Sequence, residues 1–309
     1  MAKQIVVVGS SNTDMILKVS RIPRPGETIL GGEFLTAAGG KGANQAVAAA
    51  CAGGSVSMVA RVGRDMFGER AVAGLVEKGI CVEHVTQDDA PSGVALIFVA
   101  ADGENSIGVG GGANGRLSSS DVQSAVHKFA SAGVVVLQLE TPLETVQAAA
   151  ELGRTSGAIV ILNPAPAQPL SDDLLRNVTI ITPNETEAEL LTGIAVTDDA
   201  SCRRAADTLL ARGVETVIIT LGARGAYLAT TDSQQLIPGF HVMPIDTTAA
   251  GDTFNGALAV AIAEGWSMED AIRFANAAAA ISVTRFGAQP SAPTRDEIEQ
   301  LRSERTPTN

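Results

Sequence analysis

GVVVLQLETPLETVQAAAELGRTSGAIVIL, running from Gly133 to Leu162, sets a helical pattern between two short apolar runs. Val134 to Leu139 and Ile159 to Leu162 have strand length and β-branched content, and Leu143 to Leu152 has helical composition. Strand, helix and strand in that order join two parallel strands by a crossover. The grammar continues outward, with helix Asp121 to Ala130 before it. Strand Val178 to Ile181, helices Glu185 to Leu191 and Arg203 to Arg212, and strand Thr216 to Thr220 come after it.

Toward the amino terminus the pattern loosens. Ile5 to Val8 and Met15 to Val19 read as strands, and Thr28 to Leu35 as part of an extended pair bending at Gly31-Gly32. Helix Lys41 to Ala52, strand Val56 to Val62 and helix Phe67 to Lys78 follow. Val94 to Ala100 and Ser106 to Val109 make a hairpin around Asp102-Gly103-Glu104-Asn105, because Asp-Gly supplies the positive φ of a tight turn. The expected architecture is one α/β domain over residues 1–309. It has a doubly wound, mainly parallel sheet with helices on both faces, plus a small antiparallel lid from parts of 11–38 and 92–109. The tail Ser303 to Asn309 is expected to fray.

Composition supports this. Of 309 residues 45% are hydrophobic but only 3% aromatic, so Val, Ile, Leu and Ala must fill the core, which suits a helix-covered parallel sheet. A formal net charge of −12 without a basic run argues against nucleic acid or an anionic membrane as partner. Cys51, Cys81 and Cys202 form no CxxC pair, and the apolar run after the amino terminus is too short for a signal core. A soluble cytoplasmic protein is expected. His84, His127 and His241 have no Cys or carboxylate at ligand spacing, so surface roles rather than a zinc site are expected.

The chemistry concentrates in Ile245 to Phe254, IDTTAAGDTF, which opens the small-residue helix Asn255 to Ala263. Small residues before a helix let backbone N–H groups approach an anion, and the helix dipole favours negative charge on a phosphoryl group. Asp252 at that terminus can take a proton from an attacking hydroxyl, or simply cap the helix. Gly39-Gly40-Lys41-Gly42-Ala43-Asn44 opens another helix and sets Lys41 and Asn44 one turn apart. It is not a Walker A loop, since Gly42 stands where Ser or Thr is required. Asn12, Asp14 and Glu140 follow strands, where ligands of open α/β sheets bind, and suit a polyol. Asn184 and Glu187 are spaced either to order magnesium-bound waters or to form a capping box. Thr220 to Gly225, TLGARG, either cradles a nucleotide or makes a tight turn.

These segments resemble the ribokinase-like family of carbohydrate and nucleoside kinases from Gly9 to about Glu297. Two signatures, AAGGKGANQAVAAA (Ala37 to Ala50) and DTTAAGDTFNGAL (Asp246 to Leu258), carry the likeness. GANGRL (Gly112 to Leu117), NPAPA (Asn163 to Ala167), TPNETEAELLTG (Thr182 to Gly193) and ITLGARGA (Ile219 to Ala226) add to it. The resemblance implies ATP-dependent phosphorylation of the ribose 5-hydroxyl, with Asp252 as base and Ala249, Ala250 and Gly251 as the anion hole. It implies a sugar held by Asn12, Asp14, Gly40, Lys41, Asn44 and Glu140. It also implies a nucleotide held by Asn184, Thr220, Leu221, Gly222, Ala223, Arg224, Gly225, Gly251 and Asn276, with Asn184 and Glu187 serving Mg2+. A monovalent cation, K+, is implied at Asp246, Thr248, Ser282, Arg285, Gly287 and Ser291, and a homodimer through the lid. The chain departs from the family in carrying Ala where Gly is common at 249 or 250, and Phe286 in the cation loop.

Other readings stay open at this level: a kinase for 2-deoxyribose or fructose, or a sugar sensor on a kinase scaffold. Gly110 to Gly115 also satisfies GxGxxG, which admits a dinucleotide-binding oxidoreductase.

Overall fold

Alternation along each central strand feeds two separate apolar layers. Val6, Val8, Val135, Leu137, Val160, Leu162, Val217 and Ile219 pack into one, while Ile5, Val7, Val134, Val136, Ile161 and Ile218 pack into the other. A strand buried on both faces must be apolar throughout, which is why these segments read as unbroken runs. The computed structural model describes residues 3–30 and 32–304. In chain order its strands are β1 (Gln4–Val8), β2 (Asn12–Val19), β3 (Phe34–Gly39), β4 (Val56–Gly63), β5 (Cys81–Asp88), β6 (Gly93–Ala100) and β7 (Asn105–Gly110). They continue as β8 (Ala132–Leu137), β9 (Ile159–Leu162), β10 (Ile180–Ile181), β11 (Thr216–Thr220), β12 (Gly225–Ala229) and β13 (Gln234–Pro238).

The larger sheet has the order β13-β12-β11-β10-β9-β8-β1-β4-β5, parallel except for the two pairs made by β12. Helices Leu143–Thr155 and Asp199–Ala211 cover the first layer through Val146, Ala149, Ala205 and Leu209. Helices Lys41–Cys51, Ala250–Ala263 and Met268–Ser282 cover the second through Val47, Leu258 and Phe274. This is the doubly wound arrangement expected.

The smaller sheet has the order β3-β2-β6-β7. Its outer pairs are antiparallel, but β2 and β6 at its centre run parallel, from Asn12 opposite Gly93 to Val19 opposite Ala100. That corrects the purely antiparallel expectation. β2 and β6 each follow a parallel strand of the main sheet, β1 and β5, so both leave the same edge in the same direction.

Other boundaries shift for local reasons. The second lid strand is Phe34–Gly39 rather than Thr28 to Leu35; Gly32 turns with φ 113°, and Gly31 lies outside the described residues. The expected helix Asp121 to Ala130 is two short helices, Ser119–Ser124 and Val126–Ser131. They part where the Ser124 hydroxyl donates to the Asp121 carbonyl at 2.7 Å and the Ala125 N–H reaches back only three residues, to Val122. Helix Arg295–Glu304 takes in the start of the tail, whose residues 305–309 are outside the described residues. Gly110 ends a lid strand and Gly112–Arg116 is a single 3-10 turn, so the GxGxxG match does not open a dinucleotide-binding helix.

Candidate active site

Parallel strands deliver their carboxyl ends to one edge, and the residues that follow them meet there. Ser10 follows β1, Glu140 follows β8, Asn163 follows β9, Thr182 and Asn184 follow β10, and Thr220 ends β11. The two glycine-rich helix starts, at Lys41 and Ala250, come to the same edge.

Asp252 lies in the first turn of helix Ala250–Ala263 and is buried. Its carboxylate accepts from Asn44 Nδ2 at 3.0 Å and from Gln45 Nε2 at 2.9 Å. Gln45 Nε2 also donates to Asn163 Oδ1 at 3.1 Å, and Gln45 Oε1 accepts from Gln138 Nε2 at 2.6 Å. Two amide donors suit an ionised carboxylate, which only accepts. Burial nevertheless pushes the carboxyl up, with the Lys41 ammonium and the two amide bonds opposing it. Asp252 is therefore poised to take up a proton.

Ahead of Asp252 the backbone is tightly specified. Ala249 has φ 57°, the sole positive value at a non-glycine among the described residues. Left-handed backbone costs an alanine on the order of 1–2 kcal/mol, so the surroundings must hold it. The Thr253 N–H donates to its carbonyl at 2.8 Å, and Asn255 Nδ2 donates to the Gly251 carbonyl at 2.8 Å. Asn255 is fixed in turn by the Thr182 hydroxyl at 2.7 Å. Of the N–H groups that open this helix, Ala250's makes only a long bond of 3.3 Å to the Thr247 carbonyl, and the first-turn N–H groups lack helical partners, which makes an anion-binding end.

On the lid side, Gly40 adopts φ 89°, and a Cβ there would lie 2.6 Å from the Asn12 nitrogen. Glycine is required for helix Lys41–Cys51 to start directly beneath β2. Glu140 accepts from the Lys41 N–H at 3.0 Å and from the Ser10 hydroxyl at 2.5 Å. Asn114 donates to Asn12 Oδ1 at 2.7 Å and accepts from the Ser11 N–H at 2.9 Å, tying the 3-10 turn to the start of β2. Half-buried Asp14 is pushed up to about 6, first by burial and then by the negative charges of Glu140 and Asp252. The three carboxylates are thus close enough for Asp14 to feel the other two.

On the other side of Asp252 opens a cavity of about 570 Å³. Lys41, Asn184, Glu187, Thr220, Gly222, Ala223, Gly225, Ala249, Ala250, Gly251, Asp252 and Asn276 all line it. Asn184 and Glu187 form the capping box, with the Asn184 N–H donating to Glu187 Oε2 at 2.9 Å and the Glu187 N–H to Asn184 Oδ1 at 2.8 Å. Burial raises the Glu187 carboxyl, against the Asn184 bond and the Lys41 charge. Leu221 instead packs in the core, and Arg224 lies 3.5 Å from Asp199, both off the lining. A buried carboxylate between the lid-side carboxylates and an anion-binding helix end fits phosphoryl transfer to an alcohol.

A family model described as pfkB family carbohydrate kinase matches residues 2–295. The chain belongs to the pfkB family of carbohydrate kinases. A ribokinase of Haemophilus influenzae is 47% identical over 298 residues, 96% of this kinase and 97% of its relative. A deoxyribokinase of Salmonella typhimurium is 39% identical over 301 residues, 97% and 98% of the two chains. The structure of Arabidopsis thaliana ribokinase complexed with ribose and ATP aligns with a TM-score of 0.89 at 36% identity, covering 97% of this kinase and 99% of that chain.

In this carbohydrate kinase Asp246, Thr248 and Gly287 of the expected cation loop come together. Asp246 accepts from the Thr248 N–H at 2.9 Å and the Gly287 N–H at 2.8 Å. Burial opposes its charge, but these bonds hold the carboxyl below its ordinary value. Ser282 and Ser291 are buried and donate to the Ala279 and Ala288 carbonyls. Arg285 points its guanidinium at Glu297, 2.5 Å away, and Phe286 is exposed.

Several functional positions escaped the sequence. Gln45 and Asn163 stood inside quoted signatures, and Gln45 is an amide in an otherwise alanine-rich buried helix. Thr182 and Asn255 also stood inside quoted signatures, and Gln138 carried no signal of its own. The histidines also need correcting: His241 lines the cavity, and His84 and His127 are not isolated, their ring centres being 5.0 Å apart.

Proposed function

We propose that this chain transfers the γ-phosphoryl group of ATP to the 5-hydroxyl of D-ribose, giving ribose 5-phosphate and ADP. The observation that carries the reading is the position of Asp252, buried between the lid-side carboxylates and the cavity along β10 and β11. Asp252 takes the hydroxyl proton as the sugar oxygen attacks phosphorus and the bond to the ADP oxygen breaks. The N–H groups of Ala249, Ala250 and Gly251 face the charge that gathers on the transferred phosphoryl oxygens. Asn12, Asp14, Gly40, Lys41, Asn44 and Glu140 hold the sugar. Asn184, the Thr220 to Gly225 turn and Asn276 hold the nucleotide, with Leu221 and Arg224 acting only through the shape of the turn.

Glu187, with a carboxylate on the cavity wall, fits the hard-oxygen preference of Mg2+, which would neutralise phosphate charge there. Asp246, Thr248, Ser282, Gly287 and Ser291 offer the oxygen donors that suit K+, and Asp246 already ties the 246–248 segment to Gly287. Arg285 takes part through its backbone, its side chain being engaged with Glu297. Exposed Phe34, Leu96, Ile107 and Val109 on the lid support a homodimer through that sheet, since apolar sheet surface seeks a partner. Use of ATP is consistent with a cytoplasmic location.

The reading is tested by measuring ADP formation with Mg2+ and K+ against ribose, 2-deoxyribose, fructose and adenosine, with the product identified by mass. Ribose is expected to be the best acceptor. An ionised Asp14 can accept two hydrogen bonds from a vicinal diol, and 2-deoxyribose leaves one unmade. Equal turnover of both pentoses removes the role given to Asp14; turnover of none removes the function.

The raised carboxyl of Asp14 also sets a pH dependence. Below its value of about 6 the side chain is protonated and loses an acceptor for the sugar, so KM for ribose is expected to rise as pH falls through that range. Asp14→Asn should show a high KM at every pH. A ribose KM that stays flat in the wild type from about pH 8 to about pH 5 contradicts the assignment.

A further inference from the structure

Strand β5 closes one edge of the main sheet, and it carries an irregularity. Ser57 pairs with Cys81 but Val59 pairs with His84, so Val82 and Glu83 of β5 stand against Met58 alone of β4. Such a bulge turns neighbouring side chains that a regular strand would send to opposite faces. Glu83 and His84 consequently meet, with Glu83 Oε1 3.9 Å from His84 Nε2. His127 comes in from helix Val126–Ser131, its Nε2 3.6 Å from the same Glu83 oxygen. The three ligand atoms lie within 4.8 Å of one another.

The proton positions in this cluster follow from its bonds. The Ser124 hydroxyl donates to the Asp121 carbonyl at 2.7 Å, so toward His84 Nδ1, 3.5 Å away, it offers only a lone pair. Nδ1 carries the proton, and Nε2 presents its own lone pair toward Glu83 and His127. That nitrogen is buried and has no hydrogen-bond partner. A neutral imidazole held by a hydrogen bond on its other nitrogen is the ordinary state of a metal-bound histidine. Glu83 is divided likewise: Oε2 takes the Lys128 ammonium at 2.8 Å, leaving Oε1 toward the two rings. Glu83 and His127 are about half exposed, so an ion can reach the group from solvent.

We propose that Glu83, His84 and His127 form a binding site for a zinc-type divalent ion, separate from the phosphoryl-transfer site, that fastens edge strand β5 to helix Val126–Ser131. Two imidazoles and a carboxylate are a donor set that zinc accepts, with water completing the shell. Bonds of ~2.0–2.2 Å to zinc require the three ligand atoms to close by roughly an ångström, which side-chain rotation of the exposed Glu83 and His127 supplies. Lys128 is the natural occupant of the other carboxylate oxygen and competes by charge.

The test is equilibrium dialysis of the chelator-washed full chain against zinc with Mg2+ and K+ saturating, alongside the absorption of the Co2+ form. The wild type is expected to hold zinc that Mg2+ does not displace, to unfold at higher temperature with zinc than without, and to give Co2+ d–d bands. His127→Ala and Glu83→Gln, both at exposed positions, should weaken zinc at least ~10-fold, abolish the thermal gain and leave turnover with ribose unchanged. Lys128→Met should tighten zinc. Equal zinc affinity in the wild type, His127→Ala and Glu83→Gln overturns the proposal, as does a wild-type chain that retains no zinc. Because the readout is metal content, it stands apart from the fate of the ribose assay.

Discussion

Asp252→Asn is expected to lower kcat for ribose phosphorylation by ~10²–10⁴-fold, the range lost with a positioned base, while KM for ribose changes little. The substitution keeps size and removes basicity. It would not collapse the site, because the amide placed there can still accept from Gln45 Nε2. Its new N–H₂ would face Asn44 Nδ2, a donor, yet Asn44 Oδ1 is buried without a partner and turning that amide over supplies an acceptor. Stability should therefore stay within about 1 kcal/mol of the wild type, and the loss should appear in the chemical step. Single-turnover and steady-state assays on the same preparation separate these effects. A variant with wild-type kcat removes Asp252 as the base.

What could be read from the sequence, and what could not, divides along a physical line. Val134 to Leu137 and Ile159 to Leu162 announced parallel strands because burial on both faces demands unbroken apolar residues. The glycine and alanine runs before Lys41 and Asp252 announced helix starts open to a ligand, since few other sequences permit so close an approach. The lid's parallel centre was invisible, because pairing between β2 and β6 depends on where two distant strands leave the main sheet. So was the amide chain Gln138–Gln45–Asn163 behind Asp252, whose members lie far apart in sequence and gain meaning only where the ends of two strands meet a helix. Asn184 and Glu187 illustrate a tie: the spacing allowed a cap or a ligand site, and the same two side chains form the cap while lining the cavity. The approach of His127 to Glu83 could not be foreseen from spacing, as it depends on a bulge in β5.

Gly256→Val is expected to destabilise the fold by about 3 kcal/mol, the upper range for overpacking a tight interior. Helices Lys41–Cys51 and Ala250–Ala263 cross at this glycine. A Cβ on it would lie 2.6 Å from Ala48 Cβ and 2.7 Å from both the Ala49 nitrogen and the Gln45 carbonyl oxygen. Two of those neighbours are backbone and cannot rotate away, so the helices must separate. Gly74, inside helix Met66–Glu77, is the control: a Cβ there meets nothing within 4 Å, and Gly74→Ala should stabilise by ~0.5–1 kcal/mol through helix propensity. Thermal unfolding should move in opposite directions, down by roughly 5 °C for Gly256→Val and up by about 1 °C for Gly74→Ala. The first shift should carry a catalytic loss as well. Asn44 and Gln45 stand on one of the crossing helices and Asp252 on the other, joined by bonds of 3.0 and 2.9 Å that any separation stretches. Folded Gly256→Val should therefore turn over ribose more slowly at temperatures well below its midpoint. Unfolding at the wild-type temperature with wild-type kcat would mean that this crossing does not set the distance between the base and the amides that hold it.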